Sequence, residues 1–201
     1  MRRARERRSE REGRPLRRPG RKTQASLITG AALGAGALLA PPAQAATYTV
    51  TNLYDPGSGY CDAYGCTLRE AIDDANANPY YDRIEFASGL SGSINLYDGD
   101  IEITDHSLTI AGPGNEVITV NGNYDNRIFD LYGFNSPYYE VSISGLTLRH
   151  GAVYGRGGAI RNEGFEGDAA SLTIEDSVIT DNFAFGVGGA IFHADAYQLT
   201  I

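Results

Sequence analysis

The sequence predicts an all-β protein, a right-handed parallel β-helix (solenoid) with a short N-terminal capping helix. Three observations carry that expectation. A Gly-Gly-Ala-Ile segment occurs at Gly157-Gly158-Ala159-Ile160 and again at Gly188-Gly189-Ala190-Ile191. The same offset carries Val141-Ser142-Ile143 onto Leu172-Thr173-Ile174, and Leu148 onto Ile179. A fixed period of about 20–50 residues marks a repeat architecture, and this one falls inside that range. Next, each unit reads as two short alternating strands and a glycine corner, with no helix-length apolar pattern. Finally, equivalent residues recur in register, as the stacking of parallel coils requires and an antiparallel sandwich does not. The right hand follows from the rule for parallel crossovers.

Residues 1–45 stand apart as a signal peptide. Residues 1–22 hold eleven of the chain's 17 Lys+Arg, against Glu6, Glu10 and Glu12. A small-residue apolar stretch of about 16 residues follows, short of the ~20 that span a bilayer. It closes at Pro41-Pro42-Ala43-Gln44-Ala45, where Ala43-x-Ala45 is the pattern a signal peptidase reads. Gly30 and Gly34 form a GxxxG, incidental in so Ala/Gly-rich a segment. Arg17-Arg18 is followed by Pro19-Gly20, where a twin-arginine signal carries an apolar residue. The expected destination is outside the cell, secreted or on the surface.

The whole chain carries −8 and the leader +8, which leaves −16 on residues 46–201, with no lysine and six arginines. So acidic a surface repels nucleic acid and anionic lipid. No nucleic-acid partner is expected, nor a membrane span in the mature part, where no apolar run approaches the required length. Cys61 and Cys66 are the two cysteines of the chain. In an exported chain such a pair defaults to a local disulfide, and it supplies too few ligands for structural zinc.

Residues 47–53 alternate as a first strand, and Asp55-Pro-Gly-Ser-Gly is a loop. Thr67-Leu-Arg-Glu70 is a capping box, in which hydroxyl and carboxylate each satisfy an orphan N–H. Leu68, Ala71, Ile72 and Ala75 then form one apolar stripe, and Pro79 ends the helix. A helix over 67–76 is marginal alone, and covering the first coil is the natural use of its stripe. From Ile84 on the chain is short strands and turns: Ile84/Phe86, Ile94/Leu96, Ile101/Ile103, Leu108/Ile110, Ile118/Val120, Phe129/Leu131, Val141/Ile143, Leu146/Leu148 and Leu172/Ile174. The expected division is signal peptide 1–45, cap 46–82 and coils 83–201. A coil cannot bury enough apolar surface alone, so neighbours are obligatory. Tyr197-Gln-Leu199-Thr-Ile201 repeats the 172–174 strand with no polar cap after it, which predicts a piece of a longer protein.

Cys61-Asp-Ala-Tyr-Gly-Cys66-Thr-Leu-Arg-Glu-Ala-Ile72 resembles the CSLREAI signature of the bacterial CSLREA-domain proteins, with Thr67 in place of Ser. The GGAI units, with Ile179-Thr-Asp-Asn182 ahead of the second, are similar to the FxxN/GGAI repeats of the chlamydial polymorphic outer-membrane proteins. Ile179 replaces Phe, and Gly151 stands where the first unit would carry Asn. The resemblance covers most of residues 47–194. It implies an exported right-handed parallel β-helix belonging to a larger surface or secreted protein, with neither motif catalytic.

Three acidic groups are candidates for chemistry on sugars, since carbohydrate-active β-helices use clustered acids: Asp98, Asp100 and Asp105; Asp125 and Asp130; Glu175, Asp176 and Asp181. None carries a hydrolase or lyase motif. Oxygen donors suit calcium, but the EF-hand loop and the nonapeptide calcium repeat are missing. No cofactor is expected, with calcium left open. His106, His150 and His193 share no ligand spacing. Gly155-Arg-Gly157-Gly158 lacks the strand-turn-helix context of a phosphate loop, so Gly157, Gly158, Gly188 and Gly189 read as tight corners, with Asn182 bonding inside its turn. Tyr80-Tyr81 and Tyr138-Tyr139 either stack on sugars or pack beside turns. The functional expectation is a non-catalytic, adhesin-like or displayed module that meets glycans or a neighbouring cell surface. The competing class is a polysaccharide lyase or glycoside hydrolase.

Overall fold

The first strand, β1 (Thr47–Val50), precedes the helix α1 (Leu68–Asn76). There follow β2 (Asp82–Phe86), β3 (Gly92–Asn95), β4 (Ile101–Thr104), β5 (Leu108–Ala111), β6 (Ile118–Asn121) and β7 (Phe129–Tyr132). Then come β8 (Glu140–Ser144), β9 (Thr147–Arg149), β10 (Ala152–Val153), β11 (Ile160–Glu163), β12 (Ser171–Glu175), β13 (Val178–Thr180), β14 (Phe183–Ala184), β15 (Ile191–Ala194) and β16 (Leu199–Thr200). This computed structural model describes residues 44–55, 59–104, 106–132, 139–164, 170–194 and 198–201. The leader up to residue 43, Asp105, Tyr138 and Tyr197 lie outside the described residues.

Among the described residues the chain is mostly β-strand, with one helix, and every strand pairing is parallel. Sheet 1 has the order β1-β2-β5-β8-β12-β16, sheet 2 β13-β9-β6-β3 and sheet 3 β15-β11-β7-β4; β10 and β14 pair separately. From β2 to β15 the chain therefore passes through sheets 1, 2 and 3 in that order four times. The sequence period is the register itself. Val141 lies opposite Leu172, Leu148 opposite Ile179 and Ile160 opposite Ile191, all at the offset of the two Gly-Gly-Ala-Ile copies.

The periodicity predicts two strands in each unit; the first unit has four, β8 to β11. The extra strands escape a period-2 reading for a physical reason. β10 has two residues, too few to alternate. β11 turns an asparagine inward.

Alternation points one face of every strand inward, and parallel register stacks like on like. Sheet 1 stacks Ile84, Ile110, Ile143 and Ile174, all buried. Sheet 2 stacks Ile94, Val120 and Leu148, and sheet 3 stacks Ile101, Phe129 and Ile160. Each such side chain contributes about 1.5–3 kcal/mol. Asn162 is the polar guest of this interior, fully buried opposite Leu131. Its amide is satisfied: Nδ2 donates to the Ala170 carbonyl (2.7 Å), and Oδ1 accepts from the Ala170 N–H (3.1 Å).

Helix α1 packs its buried Leu68, Ala71, Ile72 and Ala75 on β1, β2 and β4. The Thr67 hydroxyl accepts from the Glu70 N–H (3.2 Å), and the Glu70 carboxylate accepts from the Thr67 N–H (2.9 Å). Cys61 and Cys66 are at disulfide distance, Cα atoms 4.4 Å apart. The Cys66 carbonyl takes the Thr51 N–H (2.8 Å) and the Cys61 N–H reaches Asp74 (3.0 Å), which ties the loop to β1's end and to the helix.

The glycine corners have a steric cause. Gly157 and Gly188 both have left-handed backbone, φ 66° and 67°. A Cβ on either would run into the carbonyl of its own unit, Ile160 or Ile191. One on Gly158 would strike the backbone of Gly189 and Phe183, whereas Gly189 has the Asn182 carbonyl no nearer than 3.9 Å from such an atom.

Candidate functional site

The corner between sheets 2 and 3 gathers the features that packing does not explain. The turn after β6 holds Asn123 and Tyr124 in left-handed backbone, φ 56° and 63°. For a bulky aromatic this is an outlier costing about 1–3 kcal/mol. Hydrogen bonds impose it: the Tyr124 N–H donates to the His150 carbonyl (2.7 Å), and the Asp125 and Asn126 N–H groups donate to Gly122 (3.1 Å each). The strained turn swings the Tyr124 ring outward, where it stacks on His150 with centroids 4.4 Å apart.

One pass later, β10 pairs with β14 and sets Tyr154 on Phe185, centroids 4.5 Å apart and planes within 4°. Phe183 meets Phe185 edge-on at 4.7 Å. These rings are displayed: Tyr154 is 90% exposed, Phe185 64% and Tyr124 60%. Between them lies a cavity of about 470 Å³ lined by Asp100, Tyr124, Asp125, Arg127, Ala152, Val153, Tyr154 and Phe185.

Its floor is an ion-pair ladder. The buried Arg127 donates to the Gly157 carbonyl (3.0 Å), the Arg156 carbonyl (3.2 Å), Asp100 and Asp130. Arg161 clamps Asp130 from the following pass. Burial lifts the Asp100 carboxyl above its ordinary range, and the Arg127 guanidinium opposes the lift. A raised carboxyl in a cleft is a usual mark of a catalytic acid. Here both oxygens of Asp100 already accept from Arg127, one from its N–H (2.8 Å) and one from its guanidinium. That is the geometry of a paired anion.

The structure regroups the acidic candidates. Asp100 and Asp130, from different sequence groups, meet through Arg127. Asp100 and Asp125 share the corner cavity. Asp98 is held through its N–H, which donates to Asp55 (3.2 Å), as does that of Tyr97 (2.8 Å). Glu175 and Asp176 line another cavity, of about 720 Å³, beside Ile174, Ile179, Ile191 and Ile201; Asp181 does not line it. Among the described residues no three His, Cys, Asp or Glu side chains are grouped to hold a metal ion.

The remaining candidates separate. His193 presents Nδ1 to the Asn162 amide (2.9 Å), and burial lowers its pKa. Tyr139 is buried, while Tyr80 and Tyr81 are partly exposed and Tyr81 bonds to Thr109 (2.8 Å). Asn182 bonds backwards, accepting from the Gly151 N–H (2.7 Å) and donating to the Leu148 carbonyl (3.0 Å).

Sequence reading passes over three things. The Asp55–Arg69 pair is buried, and Arg69 also donates to the carbonyls of Gly99 and Asp100 (2.8 Å each). This pins the 97–100 loop and gives the arginine of the Cys66–Ile72 segment a structural task. The Arg127 ladder is the second, and the aromatic corner the third. Tyr154 and Phe185 are themselves separated by the repeat offset, so a search for aromatics in equivalent corner positions would have found them.

No family model, no curated protein and no solved structure matches this chain.

Proposed function

We propose that the chain is an exported, right-handed parallel β-helix acting as a non-catalytic surface or secreted module, adhesin-like or displayed. The resemblance of the Cys61–Ile72 and GGAI segments to CSLREA-domain and polymorphic outer-membrane proteins supports the export and the architecture, and the repeated order of the three sheets supports the architecture. The observation that carries the non-catalytic part is the commitment of the acids. Asp55, Asp100 and Asp130 are tied to arginines within the fold, so their lone pairs serve structure. Calcium and other cofactors have no part in this reading.

A sugar-cleaving enzyme is the second reading. It is favoured by one observation, the lifted Asp100 carboxyl beside Asp125 in an aromatic-lined cavity. A pair of carboxylates flanking the bond is how glycosidases supply acid and nucleophile. N-terminal sequencing of protein recovered outside the cell, with reducing-sugar and unsaturated-product assays, separates the readings. The expected result is a chain beginning at Ala46, with no turnover. A chain still starting at Met1 overturns export, and turnover lost in Asp100→Asn overturns the non-catalytic reading.

A further inference from the structure

We infer that the corner cavity between Tyr124 and the Tyr154–Phe185 pair is a subsite for one residue of an uncharged glycan. The inference rests on the display reading and names what the displayed surface holds.

The walls suit a sugar. A pyranose presents an apolar C–H face and a rim of hydroxyl donors, and needs a ring to cover the first and acceptors to meet the second. Tyr124, Tyr154 and Phe185 supply rings, and Asp125 supplies carboxylate oxygens at the same cavity. The volume, about 470 Å³, falls within the ~300–1,000 Å³ of small-molecule sites.

Packing does not account for the aromatics. Exposure alone does not set them apart, since Tyr54, Tyr64 and Tyr97 are exposed as well; stacking does, and Tyr154 is 90% exposed yet stacked. Its position is nevertheless fixed, by the β10–β14 pairing beneath it and by Phe185 against one face. Tyr124 is held outward by a strained backbone. Rigid exposed rings lose little freedom on binding, which is the physical use of such an arrangement.

Charge selects the glycan class. The guanidinium at the floor, Arg127, is committed to Asp100, Asp130 and two carbonyls, so it offers no partner to a uronate or sulfate. With −16 on residues 46–201, read from the sequence, anionic polysaccharide is repelled as well.

The test presents the exported protein, the chain beginning at Ala46, to immobilised cellohexaose, mannohexaose and chitohexaose as uncharged probes, polygalacturonate and heparin as anionic ones, and chitosan as a cationic one. Retention is expected on at least one uncharged probe and on neither anionic one. Tyr154→Ala and Phe185→Ala should each weaken it about tenfold, the scale of one lost aromatic contact. Tyr81→Ala, a partly exposed tyrosine not lining the cavity, should leave it unchanged. Circular dichroism melts matching the parent confirm that the variants fold. For a variant that does not fold, Tyr154→Phe and Phe185→Tyr, which keep the ring, should retain binding. No retention on any uncharged probe, retention confined to chitosan or the anionic probes, or retention indifferent to Tyr154→Ala in a folded protein would each overturn the subsite. An exported chain with no turnover and no retention would sink this inference alone and leave the display reading standing.

Discussion

The two units of the repeat, 140–163 and 171–194, share a backbone and differ in what they hang on it. Their left-handed corners coincide: Gly145 with Asp176, His150 with Asp181, Gly157 with Gly188. Their inward aliphatic residues are near-synonyms, Val141 for Leu172 and Ile160 for Ile191. Their outward residues diverge, as Arg161 against Phe192 and Ala152 against Phe183 do. The stacked interior fixes register and tolerates only small changes of volume. The outward positions are released from that constraint.

One divergence is itself dictated by stacking. At the position of Asn182 the earlier unit has Gly151. The Asn182 amide reaches back onto the Gly151 N–H, and a Cβ on Gly151 would lie 3.0 Å from that amide oxygen and strike the Gly158 carbonyl. An asparagine in the second unit is accommodated by the absence of a side chain in the first.

The two units differ most in the burial of the core. Ile160 is fully buried and paired on both sides, while its equivalent Ile191 is only partly buried. Ile160→Ala should cost about 2–5 kcal/mol, and Ile191→Ala less than half of that. Urea midpoints measure both, and equal losses would mean that stacking on both sides adds nothing. The glycine corner comes next. Gly157→Ala places a Cβ against a carbonyl in left-handed backbone and should cost about 1–3 kcal/mol, whereas Gly155→Ala, with nothing closer than 3.8 Å to the added atom, should stay within about 0.5 kcal/mol. A neutral Gly157→Ala would show that the corner can open.

The smallest effect sharpens the Asn162–His193 pair. Burial depresses the His193 pKa below its ordinary 6.5, and its Nδ1 faces the Asn162 amide donor. Because the folded value lies below the unfolded one, the contribution is complete above about pH 6.5 and is lost as pH falls through the folded value. Stability should drop by about 1 kcal/mol, the worth of one hydrogen bond, on acidification from pH 7.5 to 5. His193→Gln should remove that component of the pH slope; an unchanged slope would place the titration elsewhere.

How much was legible in the sequence follows the same division. The helix cap, the parallel register and the stacked aliphatics are written in periodicity, because burial alternates with the backbone. Asn162 breaks the pattern because an amide satisfied by Ala170 can occupy an aliphatic position. The Arg127 ladder and the aromatic corner are illegible for another reason. They join residues such as Asp100 and Arg127, about one pass apart, whose meeting depends on turn lengths that vary between passes. Ile94 faces Val120, Val120 faces Leu148 and Leu148 faces Ile179, each at a longer offset than the one before. Uneven offsets early in the chain conceal what the constant one of the last two units reveals.

The placement of the arginines also decides how the folded chain meets a trypsin-like protease. Residues 46–201 offer six cleavable residues. Arg69 lies in α1, Arg83, Arg149 and Arg161 lie in paired strands, and Arg127 is buried. Arg156, in a bend with its side chain half exposed, is the remaining bond to attack. A protein of this composition is digested slowly and begins to fail at one place, between Arg156 and Gly157, on the rim of the aromatic corner.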